Sequence, residues 1–108
     1  MNKGEIWLVK LPQWTGREQL GTRPAIIIAD TKADLIIVIP LTSSLKTLKY
    51  PHTIKIENSK QNGLNNESVA LILQIKSIDK RRLIHKIGNL EEVYLKQIND
   101  IMKSLLEV

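Results

Sequence analysis

Two arginines in the segment 16–24, which reads GREQLGTRP, are the side chains best suited to chemistry on an anion. Arg17 and Arg23 each carry a planar guanidinium fork that matches a phosphate group. Gly21 allows close approach to the backbone, whose N–H groups suit a phosphate, and Glu18 is the carboxylate of the segment. The segment indicates phosphate binding, although a charged loop exposed to solvent explains the same residues.

Hydroxyl, amide and indole side chains stand beside the apolar runs. Thr42, Ser43 and Ser44 directly follow an aliphatic run. Hydroxyls at a strand exit bind phosphate oxygens or a base edge, or simply form a turn. Gln74 follows another apolar run, and its amide could contact a base edge or lie at the surface. Trp14 could stack on an unpaired base or pack in a core or a dimer interface.

Other site chemistries lack the residues they need. The chain has no Cys, and His52 and His85 lack metal-ligand spacing to each other or to a carboxylate cluster. There is no Gly-rich loop of the Walker or dinucleotide type and no nucleophilic Ser elbow. The sequence weighs against metal-dependent hydrolysis, nucleotide hydrolysis and dinucleotide redox chemistry, so no metal and no cofactor are expected.

The charge of the chain favours a polyanionic partner. The 108 residues carry a formal net charge of +5, and the sequence pI is about 9.6. Residues 76–86 hold five basic side chains against one Asp, whereas the chain after Ile87 is mildly acidic. Nucleic acid is one explanation of this balance, and a solubilising excess of Lys is the other.

The apolar pattern predicts strands first and a helix last. From Leu90 onward, apolar residues recur at spacings of three and four, which predicts a helix over 90–106, with Asn89 and Glu92 as a capping box. Five or six strands and one helix predict a mainly β fold with α, a small SH3-like β-barrel with a C-terminal helix packed on it. Runs typical of strands occur at residues 6–9, 24–29, 35–39, 52–57, 68–73 and 82–88.

A single domain over residues 1–108 is expected, because no repeat, linker or low-complexity stretch divides the chain. No apolar signal-peptide segment follows Met1, and no run approaches the roughly 20 apolar residues of a membrane span. A cytoplasmic protein is therefore expected.

Ordered motifs across nearly the whole chain carry a resemblance to a known family. In order, they are Gly4-Glu5-Ile6-Trp7, then Glu18-Gln19 with Gly21 and Arg23-Pro24, then Pro40-Leu41-Thr42-Ser43, then Asn66-Glu67-Ser68-Val69, and finally the stretch from Gln74 to Leu83. Their order and spacing resemble the MazF/PemK family of toxin endoribonucleases. The sequence departs from the common family pattern at Arg17, at Leu73 and in the short turn 30–34, which leaves the cleavage motif open.

The resemblance implies a CcdB/PemK-type barrel and a homodimeric endoribonuclease that cuts single-stranded RNA at short motifs. It also implies neutralisation by a cognate antitoxin of a type II toxin–antitoxin system. The catalytic Arg and Thr of the family map to Arg23 and Thr42, with Glu18 as a third catalytic candidate. The predicted RNA-binding residues are Trp14, Arg17, Gln19, Gly21, Ser43, Ser44 and Gln74.

The implied reaction needs no metal, because RNA carries its own nucleophile, the 2′-OH. Arg23 would stabilise the negative charge on the attacked phosphate, and Thr42 would donate a hydrogen bond to it. Three groups are open as the acceptor of the 2′-OH proton. Arg23 stays protonated at neutral pH in ordinary surroundings, Glu18 is the easier base, and a structural role is favoured for His85 because of its strand position.

Two non-catalytic functions compete with cleavage. A CcdB-like toxin on the same barrel would bind a topoisomerase through its C-terminal helix, since fold alone does not specify function. A plain RNA-binding barrel would bind oligoribonucleotides in a salt-dependent way and leave them intact.

Overall fold

Seven antiparallel strands and one helix make up most of the regular structure in a computed structural model, which describes residues 1–11 and 21–107. The mainly β fold with a C-terminal helix is confirmed, and each of the six predicted strands is present. The strands are β1 Glu5–Lys10, β2 Thr22–Asp30, β3 Leu35–Thr42, β4 Thr53–Ile56, β5 Ser68–Leu71, β6 Lys76–Asp79 and β7 Leu83–Asn89, and the helix is α1 Glu92–Leu106.

The long strand β3 organises the sheet. One edge of β3 pairs with β2, and the other edge pairs with β6 through residues 35–38 and with β5 through residues 41–42. On the far side of β2, strand β1 pairs with both β2 and β7. β6 was not predicted, because the sequence KSID lacks the apolar pattern of a strand. It forms where an edge of β3 is available and where Ile78 becomes buried.

The predicted closed SH3-like barrel is wrong, because the strand path is open. The order of hydrogen-bonded neighbours is β4-β5-β3-β2-β1-β7, so β4 and β7 stand at opposite ends. The loop 57–67 occupies the space beside β7 instead of a strand. The N–H of Asn89 donates to the carbonyl of Gln61 at 3.0 Å. A loop rich in Asn and Gly therefore takes the place of a β4–β7 ladder.

The sheet separates two apolar clusters. One cluster contains Ile6, Ile26 and Ile98, and α1 packs against it through half-buried aliphatic and Tyr side chains. The second cluster contains Ile27 and Val38. Because successive residues of a strand point to opposite faces, the aliphatic run of β2 supplies both clusters, as a run of this kind predicts.

The helix begins at Glu92, and the predicted capping box is wrong. Asn89 belongs to β7, and the N-cap residue Glu91 makes no side-chain capping bond. The carboxylate of Glu91 instead accepts hydrogen bonds from the loop before β5. Among the described residues, no helix has the length and apolarity that a membrane crossing requires.

Candidate active site

Arg23 and Thr42 meet across two neighbouring strands. The register of β2 and β3 pairs Ala25 with Pro40, and the same register continued by two residues places Arg23 opposite Thr42. Nη1 of Arg23 donates a hydrogen bond to Oγ1 of Thr42 at 3.3 Å. The two residues that the sequence singled out for catalysis are therefore in contact, although 19 positions separate them.

The hydroxyl of Thr42 is oriented by its neighbours. Besides the bond from Arg23, its Oγ1 accepts a hydrogen bond from the backbone N–H of Ser44 at 3.2 Å. A hydroxyl has one donor and two acceptor positions. With both acceptor positions filled by protein groups, the O–H proton of Thr42 is left to donate to a bound ligand. Thr42 is the last residue of β3 and not part of the following loop as predicted, so the sheet holds its backbone in place.

Two grooves meet at this pair of side chains. The small groove has a volume of about 330 Å³, and the large groove has a volume of about 750 Å³. Arg23, Leu41 and Thr42 line both of them. The polar residues that line only the small groove are Ser44, Thr47, Gln74 and Lys76. Those that line only the large groove include Thr22, Ser43, Asn65, Asn66, His85 and Lys86.

The described lining of the two grooves is cationic. It includes Arg23, Lys76 and Lys86 but no Asp or Glu. Lys86 lies 3.8 Å from the carboxylate of Glu5. A hydrogen bond from the indole N–H of Trp7, at 2.9 Å, is the main cause that lowers the pKa of Glu5, and Lys86 contributes to the same shift. The lining as described suits a phosphate anion.

The structure brings together five of the ten predicted site residues. Arg23, Thr42, Ser43, Ser44 and Gln74 line one or both grooves, and all but Arg23 and Thr42 are well exposed. A sixth, Gly21, precedes β2 with a φ of 113°, a conformation that favours glycine, and it is absent from the groove lining. Trp14, Arg17, Glu18 and Gln19 lie outside the residues that the structure describes, so their roles stay predictions.

Asn65 and Asn66 of the large groove were not among the predicted site residues. His85 also lines this groove; the sequence left it open as a proton acceptor and favoured a structural role for it. It is exposed on β7, the end strand of the sheet. His85 pairs with Leu8 of β1, another residue that lines the groove. No spacing rule in the sequence links these residues to Arg23.

The loop that carries Asn65 and Asn66 is anchored by a fully buried amide. Oδ1 of Asn62 accepts hydrogen bonds from the N–H groups of Ser59 at 2.9 Å and Leu64 at 3.1 Å. Its Nδ2 donates to the carboxylate of Glu91 at 3.0 Å. Burial raises the pKa of Glu91, but hydrogen bonds from Ser59, its own backbone N–H and Asn62 together hold it below the usual value.

Two glycines let this loop lie directly against β7. A Cβ at Gly88 would stand 2.5 Å from the carbonyl oxygen of Asn62. A Cβ at Gly63 would stand 2.3 Å from the carbonyl oxygen of Ile87, and Gly63 also has a φ of 71°. Contacts this short leave no space for any side chain, so the position of the loop depends on both glycines.

No three His, Asp or Glu side chains cluster as a metal site would require, as far as the described part of the chain extends. Metal-independent chemistry therefore remains a prediction for experiment.

Comparisons with known proteins agree on one family. Residues 2–106 match the family described as PemK-like, MazF-like toxin of type II toxin–antitoxin system. The chain is 34% identical over 104 residues to the endoribonuclease MazF of Staphylococcus saprophyticus, covering 93% of this chain and 86% of that protein. It is 28% identical to the endoribonuclease EndoA of Bacillus subtilis, covering 95% of this chain and 91% of that protein.

Solved structures agree with the sequence comparison. The crystal structure of MazF from Deinococcus radiodurans superposes with a TM-score of 0.77 at 26% identity, covering 100% of this chain and 97% of that one. The similarity extends over all of this chain and nearly all of that one.

Proposed function

The chain belongs to the family of PemK-like, MazF-like toxins of type II toxin–antitoxin systems, and from that premise we propose that it cuts single-stranded RNA. One observation carries the proposal: the guanidinium of Arg23 and the hydroxyl of Thr42 meet where two grooves join. A phosphodiester bound there lies between a fixed cation and a fixed hydroxyl donor.

Cleavage proceeds by attack of the 2′-OH on the adjacent phosphorus. The 2′-oxygen forms a bond to phosphorus, the bond to the 5′-oxygen breaks, and the products are a 2′,3′-cyclic phosphate and a 5′-OH. Arg23 stabilises the charge that develops on the phosphoryl oxygens, and the hydroxyl of Thr42 donates a hydrogen bond to one of them. Glu18 or His85 accepts the proton of the 2′-OH, and the leaving 5′-oxygen takes up a proton from water.

The small groove supports binding of an unpaired base. Gln74 lies in the turn 72–74, and its amide together with the hydroxyl of Ser44 offers donors and acceptors beside the proposed cleavage site. Side chains reach base edges in single-stranded RNA, whereas the A-form duplex hides them in a deep, narrow groove. Structured RNA should therefore resist cleavage.

Family membership also supports a protein partner and a cellular location. A toxin of a type II system is expected to bind a cognate antitoxin protein. Because an antitoxin segment must cover a cationic groove, an acidic, partly disordered segment fits best. We further propose a homodimer that acts in the cytoplasm, where its RNA substrates are.

The test is digestion of a long unstructured RNA in EDTA, followed by mapping of the product ends. Loss of a charge-assisted contact made in the transition state costs about 3 kcal/mol, or roughly a hundredfold in rate, so Arg23→Ala should lose most cleavage and keep its fold. The matched control is Arg81→Ala, since Arg81 is an exposed arginine paired with Asp79, and it should cut at the parental rate.

Four outcomes contradict the proposal. Cleavage that disappears in EDTA excludes the metal-independent reaction, and parental activity of Arg23→Ala excludes the site. RNA that is bound but left intact supports the plain RNA-binding barrel. Inhibition of a topoisomerase without any RNA cleavage supports the CcdB-like alternative.

A further inference from the structure

The large groove contains polar side chains that the proposed reaction does not use. Asn65 and Asn66 line it next to Arg23 and Thr42. We propose that this groove is a second base-reading subsite, in which the amides of Asn65 and Asn66 recognise the base on one side of the cleaved bond. The inference rests on the proposed function and extends it to a part of the surface for which the comparisons give no role.

Because the Arg23–Thr42 contact lies where the two grooves meet, a phosphodiester bound there needs two subsites, one for each nucleoside that it joins. A phosphodiester joins two nucleosides that leave the phosphate in different directions. The small groove and the large groove both open from the same two side chains. If one nucleoside follows the small groove past Gln74, its neighbour across the cleaved bond enters the large groove.

The chemistry of the large groove suits an unpaired base. Each Asn amide presents two N–H donors and a carbonyl acceptor, a combination that complements the Watson–Crick edge of a base. Asn65 and Asn66 are exposed, so these groups are available to a ligand. The exposed His85 adds a flat ring for stacking. The volume of about 750 Å³ lies within the range of pockets that enclose small organic ligands.

The backbone that carries the two amides is held in place before any RNA binds. Leu64, directly before Asn65, is buried and donates its N–H to the buried side chain of Asn62. On the other side, the hydroxyl of Ser68 donates to the carbonyl of Asn66 at 3.1 Å. A segment of two residues fixed at both ends presents its side chains at a small entropic cost of binding.

The experiment measures cleavage preference at every nucleotide position. A single-stranded RNA library, randomised around the cleaved bond, is digested in EDTA and the product ends are sequenced. In the double variant Asn65→Ala/Asn66→Ala, discrimination at one nucleotide beside the cut should fall on the order of tenfold. Gln74→Ala should instead relax the preference on the other side of the cut.

Two further variants separate base reading from other effects. Asn58→Ala is the matched control, because Asn58 is an exposed Asn of the same loop outside the groove lining, and it should keep every parental preference. His85→Ala should slow all sequences about equally, because neither stacking nor acceptance of the 2′-OH proton distinguishes one base from another. Thermal melting of each variant verifies the fold.

The outcomes distinguish this inference from the proposed function. Parental protein that cuts no RNA overturns both. Parental protein that cuts, combined with unchanged preferences in Asn65→Ala/Asn66→Ala, overturns the subsite alone. A uniform loss of rate in that variant, or relaxation of the same position that Gln74→Ala relaxes, also overturns it.

Discussion

Replacing Asn62 by Ala removes the side chain that anchors the loop between β4 and β5. Asn62 is fully buried. Its Oδ1 accepts from the N–H groups of Ser59 and Leu64, and its Nδ2 donates to the carbonyl of Glu57 at 2.9 Å and to the carboxylate of Glu91 at 3.0 Å. The methyl group of Ala makes none of these bonds.

The expected loss of stability follows from which of these four groups reach water. Glu57 is exposed and Ser59 is half-buried, so water can replace their bonds. Glu91 is half-buried and keeps the hydrogen bond from the hydroxyl of Ser59, whereas the N–H of Leu64 is buried. An unsatisfied buried group costs about 1–3 kcal/mol, so Asn62→Ala should be about 2 kcal/mol less stable. A loss of that size lowers Tm by roughly 8 °C.

Equilibrium denaturation in urea, followed by Trp fluorescence, measures this change. Asn58→Ala is the control, since it removes an exposed amide from the same loop, and surface substitutions of this kind stay within about 0.5 kcal/mol. Amide exchange adds a local measurement, because the N–H of Leu64 should exchange faster in Asn62→Ala even under native conditions. A loss below about 1 kcal/mol, with unchanged exchange at Leu64, would refute the anchoring role.

Three more predictions concern the active pair, acid stability and the loop contact. In a double-mutant cycle of Arg23→Ala and Thr42→Val, the fold-loss of cleavage rate in the double variant should be smaller than the product of the two single fold-losses, because both groups act on one phosphate. Single-turnover rates measure this, and a double loss equal to that product would contradict the prediction. A hydrogen bond from Lys80, with others around it, lowers the pKa of Asp30 from 3.8 to about 2. The ionised form is thus favoured in the folded state, so its stabilising effect is complete above pH 4 and disappears toward pH 2. The difference in Tm between parental protein and Asp30→Asn should close over that interval, and a constant difference would exclude the linkage. Gly88→Ala should destabilise the fold by about 3 kcal/mol in urea denaturation, because its Cβ meets backbone and not a flexible side chain, and parental stability would show that the loop can move away.

The fold was predictable where its cause is local. Aliphatic runs predicted six strands, and the change to spacings of three and four predicted the helix within two residues of its start. β6 was not predictable, because its four residues form a strand only against a free edge of β3. The open end of the sheet was also missed, since it depends on a loop that packs against Gly88, far along the chain.

The sequence by itself determined which side chains could act on a phosphodiester, because residue type and the ordered motifs around Arg23 and Thr42 carry that information. Only the tertiary structure decided how they are arranged. The register between β2 and β3 sets the contact of those two residues. The packing of the loop 57–67 against β7 brings Asn65 and Asn66 into one groove with His85. Such juxtapositions depend on long-range backbone pairing and close packing, which no local pattern of residues encodes.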